Sequence, residues 1–145
     1  MADIFSSDFL IWAIAVLAVL GIGVGSIAIT YFQPLGSSIV FADPITSLST
    51  SLSSKAAEQF QQGCEAFQAG QYRRAINAFS QVIETEPACA EAFHNRGRVQ
   101  ANLGDNMLSV RDLLAAEDRY DKQGAKAGID RIKGDMERIA AGLRG

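Results

Sequence analysis

The sequence predicts an all-α protein: one N-terminal transmembrane helix, then two helical hairpins with a C-terminal capping helix. Three observations predict it. Residues 56–89 resemble residues 90–123 at a fixed offset of 34, with Ala56 on Ala90, Gly63 on Gly97 and Gly70 on Gly104. A period of that length marks stacked helical hairpins. Phe9–Phe32 is a run of 24 apolar or small residues without a charge. Near the end, Ile129, Ile132, Met136, Ile139 and Leu143 recur at spacings of three and four, the stripe of an amphipathic helix. The organisation read from these is a tail (1–8), a transmembrane helix (9–32), a linker (33–54), two repeats (55–123, as 56–89 and 90–123) and a capping helix (124–145).

The membrane helix comes first. At 1.5 Å per residue, 24 residues reach about 36 Å, against a hydrocarbon core of about 30 Å. Phe5, Phe9 and Trp12 flank one end, and Tyr31 and Phe32 the other, as interfacial aromatics do. A cleaved signal peptide needs a basic leader and a shorter apolar stretch. Residues 1–8 carry no Lys or Arg, so a retained single-pass anchor is expected. Every one of the 13 Lys and Arg residues lies at or after Lys55. That bias favours a cytoplasmic or stromal side for the C-terminal domain. Ala18, Gly21, Gly25 and Ala28 form one small-residue stripe. In lipid such a stripe admits another helix closely, so it is the expected packing face toward a second copy or another integral membrane protein.

Residues 33–54 hold seven serines, two threonines, two prolines and one glycine, the composition of a tether. Ser53 or Ser54 is placed to cap the next helix.

Five helices fit the remainder. The first spans about 56–68 and stops at Ala69-Gly70. The second spans about 72–85, before Pro87. The third spans about 90–103. The fourth runs from Asp105, a good N-cap, to about Gln123. The fifth spans about 125–142. Gly63 and Gly97 fall inside helices, where glycine costs about 1 kcal/mol relative to alanine, so each should mark a close helix–helix approach. Tyr72, Ala75, Ile76, Phe79, Val82 and Ile83 give a wide apolar face; Asn106, Ser109, Val110, Leu113, Ala116 and Glu117 give a weaker copy. The fifth helix should bury its apolar stripe on the open end of the stack and turn Asp130, Arg131, Lys133, Asp135, Glu137 and Arg138 outward. Gly128 and Gly134 should weaken it.

These residues resemble tetratricopeptide repeats. The first copy matches that family at Gly63, Gly70, Tyr72, Ala75, Phe79 and Pro87, and the second at Phe93, Gly97, Leu103 and Gly104. Gln59, Asn106, Ser109 and Asp121 depart from the pattern, and Arg131 stands where a third copy would need a small residue. The resemblance covers about half of the chain. It implies a concave groove lined by the opening helices: Phe60, Cys64 and Phe67 from the first copy, with His94, Asn95, Arg98, Ala101 and Asn102 from the second. Asn95 and Arg98 resemble part of a clamp for a peptide carboxylate, but Phe60 and Cys64 replace its other half. A peptide or protein partner is expected in the groove.

Other classes have little support. Residues 55–145 carry 13 basic and 13 acidic side chains, so no basic stripe invites nucleic acid. Cys64, Cys89 and a single histidine make neither a metal set nor a disulfide framework; both thiols are expected reduced. No cofactor motif or catalytic constellation stands out, and no enzyme activity is expected. The expected function is a membrane-anchored interaction scaffold, an assembly factor or accessory subunit of an integral membrane complex. The anchor with a short repeat array is similar to thylakoid tetratricopeptide proteins that assist photosystem assembly, to organelle import receptors and to bacterial inner-membrane chaperone-like proteins; it looks most like the first group, which implies a photosynthetic complex. The alternative is a membrane-tethered receptor or co-chaperone for soluble clients.

Overall fold

A computed structural model describes residues 39–143 of the chain. Five helices follow in order: α1 (Ser54–Gln68), α2 (Tyr72–Thr85), α3 (Ala90–Asn102), α4 (Asn106–Lys122) and α5 (Lys126–Gly142). Each packs on its neighbour in sequence, as stacked hairpins do. Among the described residues no helix is long and apolar enough to cross a membrane. The span expected over 9–32, with its stripe Ala18, Gly21, Gly25 and Ala28, lies outside those residues.

The helix ends follow from local chemistry. Gly70 sits at φ 68°, and the turn closes with Gly70 N–H donating to Phe67 O at 2.9 Å and Gln71 N–H to Ala66 O at 2.8 Å. This left-handed closure satisfies carbonyls the helix cannot. The same closure recurs after α3 and α4. Asp105 caps α4 as expected, its carboxylate accepting from Leu108 N–H at 3.4 Å. Ser53 occupies the N-cap position of α1, yet its hydroxyl makes no cap; its N–H donates instead to Glu86 Oε1 at 3.3 Å.

Small residues set the hairpin spacing. A Cβ on Gly63 would lie 2.6 Å from the Phe79 ring, and one on Gly97 3.1 Å from the Ser109 carbonyl. Phe60 packs edge-on against Phe79, with centroids 5.7 Å apart. Gly128, expected to weaken α5, does the same work in the third pair: a Cβ there would meet the Tyr120 ring at 2.6 Å. Phe67, Phe79, Val82, Val99, Leu113 and Ile132 are fully or almost fully buried in the continuous core between these helices.

Three expectations are corrected. Leu143 is not part of the buried stripe of α5 and stays 66% exposed, because the helix ends at Gly142. Ile132 and Ile139 are buried, and Ile129 and Met136 are partly so. Asp135, read as outward-facing, is 2% exposed: at 100° per residue it falls beside Ile132 and Ile139 on the edge turned to α3. The composition of residues 33–54 reads as a tether, but Phe41 and Ile45 are buried at 3% and 4% exposure. Their extended segment lies against α3, and its backbone hydrogen bonds are made by side chains of that helix.

Glycine positions separate cleanly in a stability measurement. Gly63→Ala forces a methyl into a Phe79 ring that has no room to move, and should lower unfolding free energy by about 1–3 kcal/mol. Gly134 has nothing within 4 Å of its Cβ position. Gly134→Ala should therefore raise unfolding free energy by about 0.5–1 kcal/mol. Urea denaturation of the two variants checks both signs.

Candidate peptide-binding groove

The opening helices of the two repeats, α1 and α3, together with α5, form one side of the stack. Along α3, Glu91, Asn95, Arg98 and Asn102 recur at four, three and four, so they share a stripe. Residues 39–49 run across that stripe antiparallel to the helix. Val40 and Phe41 N–H both donate to Asn102 Oδ1, at 3.0 and 2.9 Å, and Asn102 Nδ2 donates to Phe41 O at 2.7 Å. Seven residues earlier in the helix, Ile45 N–H donates to Asn95 Oδ1 at 2.7 Å and Asn95 Nδ2 returns a bond to Ile45 O at 2.8 Å. Each carboxamide thus pairs with both polar groups of one extended residue. The spans agree: four extended residues cover about 13 Å, and seven helical residues about 10 Å. Beyond them, Ser49 N–H and Oγ–H donate to Glu91 Oε1 at 2.8 and 2.7 Å.

Arg98 forms the wall. Its guanidinium carbon lies 4.9 Å from the centroid of the Phe41 ring, and Nη1 donates to Asp43 O at 3.1 Å. Its other nitrogens bind Asp135 in a two-pronged contact, Nε to Oδ2 at 2.5 Å and Nη2 to Oδ1 at 2.9 Å. Asp135 Oδ2 also lies 2.7 Å from His94 Nε2, while His94 Nδ1 is 3.4 Å from the Tyr120 hydroxyl. Burial opposes ionisation of Asp135, but the hydrogen bonds from His94 and Arg98 and the charge of Arg98 hold its carboxyl below the usual range. Burial first, against the pull of Asp135, lowers the His94 pKa. The arrangement therefore fits a neutral imidazole donating from Nε2 to the carboxylate and accepting at Nδ1 from Tyr120.

The first-copy residues lie deeper. Phe60 and Phe67 are buried, Phe60 against Phe79 and Phe67 edge-on to Tyr72 at 6.1 Å. Cys64 Sγ lies 3.9 Å from Ile45 O, beneath the extended segment. Burial pushes the Cys64 thiol up to about 12 and Cys89 up to about 11, so both remain protonated and poorly nucleophilic at neutral pH. Ala101 is buried, but Asn95, Arg98 and Asn102 contact residues 40–45 directly. His94 instead faces α4 and α5. Sequence reasoning missed Glu91 and Asp135 as groove groups, and missed a second buried pair in which Arg96 grips Asp112 at 2.6 and 3.0 Å and reaches Ser80 Oγ at 3.0 Å. Among the described residues, no group of three His, Cys, Asp or Glu side chains is placed to hold a metal ion.

Comparison with known proteins adds one similarity. The chain is 31% identical over 74 residues to a tetratricopeptide repeat protein 36 homolog from Nematostella vectensis, a match covering 50% of this chain and 41% of that protein. The chain thus spans about two fifths of the length of the curated relative it matches. No protein-family profile matches it, and no solved structure does. The similarity supports the tetratricopeptide-repeat family for the helical hairpins.

Two measurements follow from this geometry. The Ile45 amide, clamped by Asn95, should be protected from hydrogen exchange; Asn95→Ala should expose it, with a loss of about 1–3 kcal/mol, while core amides of α4 stay slow. The His94 pKa lies below its unfolded value near 6.5, so the unfolded chain binds the extra proton first as pH falls. Stability should decline from about pH 7 toward pH 5, and His94→Gln should flatten that decline. An unchanged slope in the variant would exclude His94 as its source.

Proposed function

We propose that this chain is a non-catalytic, membrane-tethered scaffold that holds a protein partner for an integral membrane complex. One observation carries the scaffold reading: α3 presents two carboxamides that pair with both polar groups of an extended main chain, as Asn95 does with Ile45 and Asn102 with Phe41. A surface of that kind holds polypeptide. It does so without any chemistry on it, because neither thiol is activated and the histidine is committed to Asp135. The similarity to a tetratricopeptide repeat protein supports the same reading.

The membrane half rests on the charge-free stretch 9–32 and its glycine stripe. Packing of small residues drives helix association in lipid, which suits an integral partner, and the thylakoid resemblance names a photosynthetic complex as its most specific form. The competing role, a receptor for soluble clients, uses the same stretch only as a tether.

A pull-down of the full chain in mild detergent separates these roles. The scaffold should recover an integral membrane complex, and Gly21→Leu with Gly25→Leu should reduce that recovery several-fold. Undiminished recovery by the double variant, together with full function after exchange of residues 1–32 for an unrelated anchor, would favour the receptor.

A further inference from the structure

Residues 41–49 occupy the groove as a ligand would. They touch α3 at three points four residues apart: Phe41 at Asn102, Ile45 at Asn95 and Ser49 at Glu91. At the first two points the asparagines bond main chain, and such contacts accept any extended segment. Selection falls to the side chains, namely the Phe41 ring against Arg98 and the buried Ile45. Thr46, Ser47, Leu48 and Ser49 remain exposed. The seated segment also leaves one charge unused. Arg131 lines the same cleft as Ser47 and Ser49 and makes no ion pair among the described residues.

We propose that the groove is an exchange site, in which an extended segment of a partner protein displaces residues 41–49. The partner segment carries a large apolar residue at its first position and an aliphatic one at its fifth. Its seventh position, that of Ser47, is acidic and meets Arg131. The inference rests on the reading of this domain as a polypeptide-holding scaffold, but it does not require the membrane part of that reading.

The test uses the full chain in mild detergent and a fluorescent synthetic peptide with the sequence of residues 39–51 carrying Ser47→Glu. Anisotropy should show weak binding to the unaltered chain. Phe41→Ala with Ile45→Ala, which loosens the resident segment, should tighten peptide binding by roughly tenfold or more, because a tethered competitor has been weakened. Adding Asn95→Ala should abolish the gain. Cys64, covered by the Ile45 carbonyl, should react faster with a thiol reagent in the loosened chain and slow again when the peptide saturates it. Equal affinity for the loosened and unaltered chains, with helical content preserved by circular dichroism, overturns the exchange. If the double alanine variant does not fold, Phe41→Leu with Ile45→Val should give a smaller gain in the same direction, and no gain there overturns it equally. The acidic position has its own control: the peptide without Ser47→Glu should bind more weakly, and Arg131→Gln should erase that difference. Failure to recover a membrane complex leaves these results untouched, so the two readings fail separately.

Discussion

A carboxylate taken out of water must be compensated, and Asp135 sets the geometry of the groove for that reason. Alone, a buried carboxylate would protonate or unfold its surroundings. Here Arg98 contributes two charged donors and His94 a third contact. Arg98 and His94 stand on α3 and Asp135 on α5, helices that are not neighbours in sequence, so the requirement fixes α5 against α3. It also holds Arg98 where its face meets Phe41 and its free nitrogen meets the Asp43 carbonyl. Tyr120 then completes the imidazole, and its ring rests over Gly128. The cost of removing one member of such a buried group is about 3–5 kcal/mol, because the others are left uncompensated. The capping helix is therefore more than an apolar lid: it supplies the charge that positions the groove wall.

The floor of the groove works by a different principle. A carboxamide both donates and accepts, so one asparagine satisfies the N–H and C=O of a single extended residue. Buried main chain with neither partner would be strongly unfavourable. Two asparagines seven apart on α3 solve that problem for a segment with no strand beside it among the described residues, and Glu91 continues the solution to Ser49. The two asparagine contacts are blind to side-chain identity. Orientation and register come from Phe41 and Ile45, the two side chains of the segment that are buried.

What the sequence revealed follows from which interactions are local. Helix positions were legible from spacing, and Gly63 and Gly97 announced close packing because glycine inside a helix needs a reason. Asn95, Arg98 and Asn102 were legible as groove residues through the repeat resemblance. The seating of residues 40–49 was not, since its bonds to α3 join residues 42 to 62 apart and use mostly main-chain groups that every sequence carries. Serine and threonine between Phe41 and Leu52 signalled a tether. The hint to the contrary was the large apolar residues set among them, Phe41, Ile45 and Leu48. Asp135 was misread for a related reason. Periodicity assigns an aspartate to solvent by its identity, and only the positions of His94 and Arg98 on another helix make its burial tolerable. Gly128 was misjudged because its partner, Tyr120, sits in the preceding helix at a spacing the repeat does not contain.

A groove that contains its own occupant changes what a partner must achieve. The resident segment joins α1 directly through residues 50–53, so it competes as a tethered ligand at an effective concentration in the millimolar range. If it is seated about 99% of the time, a partner segment binds about 100-fold more weakly than its intrinsic affinity allows. Weak, freely diffusing peptides are excluded by that arithmetic. A partner concentrated beside the groove is not, and confinement to a common membrane supplies such concentration without new contacts. In the proposed role the filled groove and the apolar N-terminal stretch serve one end: the first rejects casual ligands, and the second, as a membrane tether, brings the intended one close enough to compete.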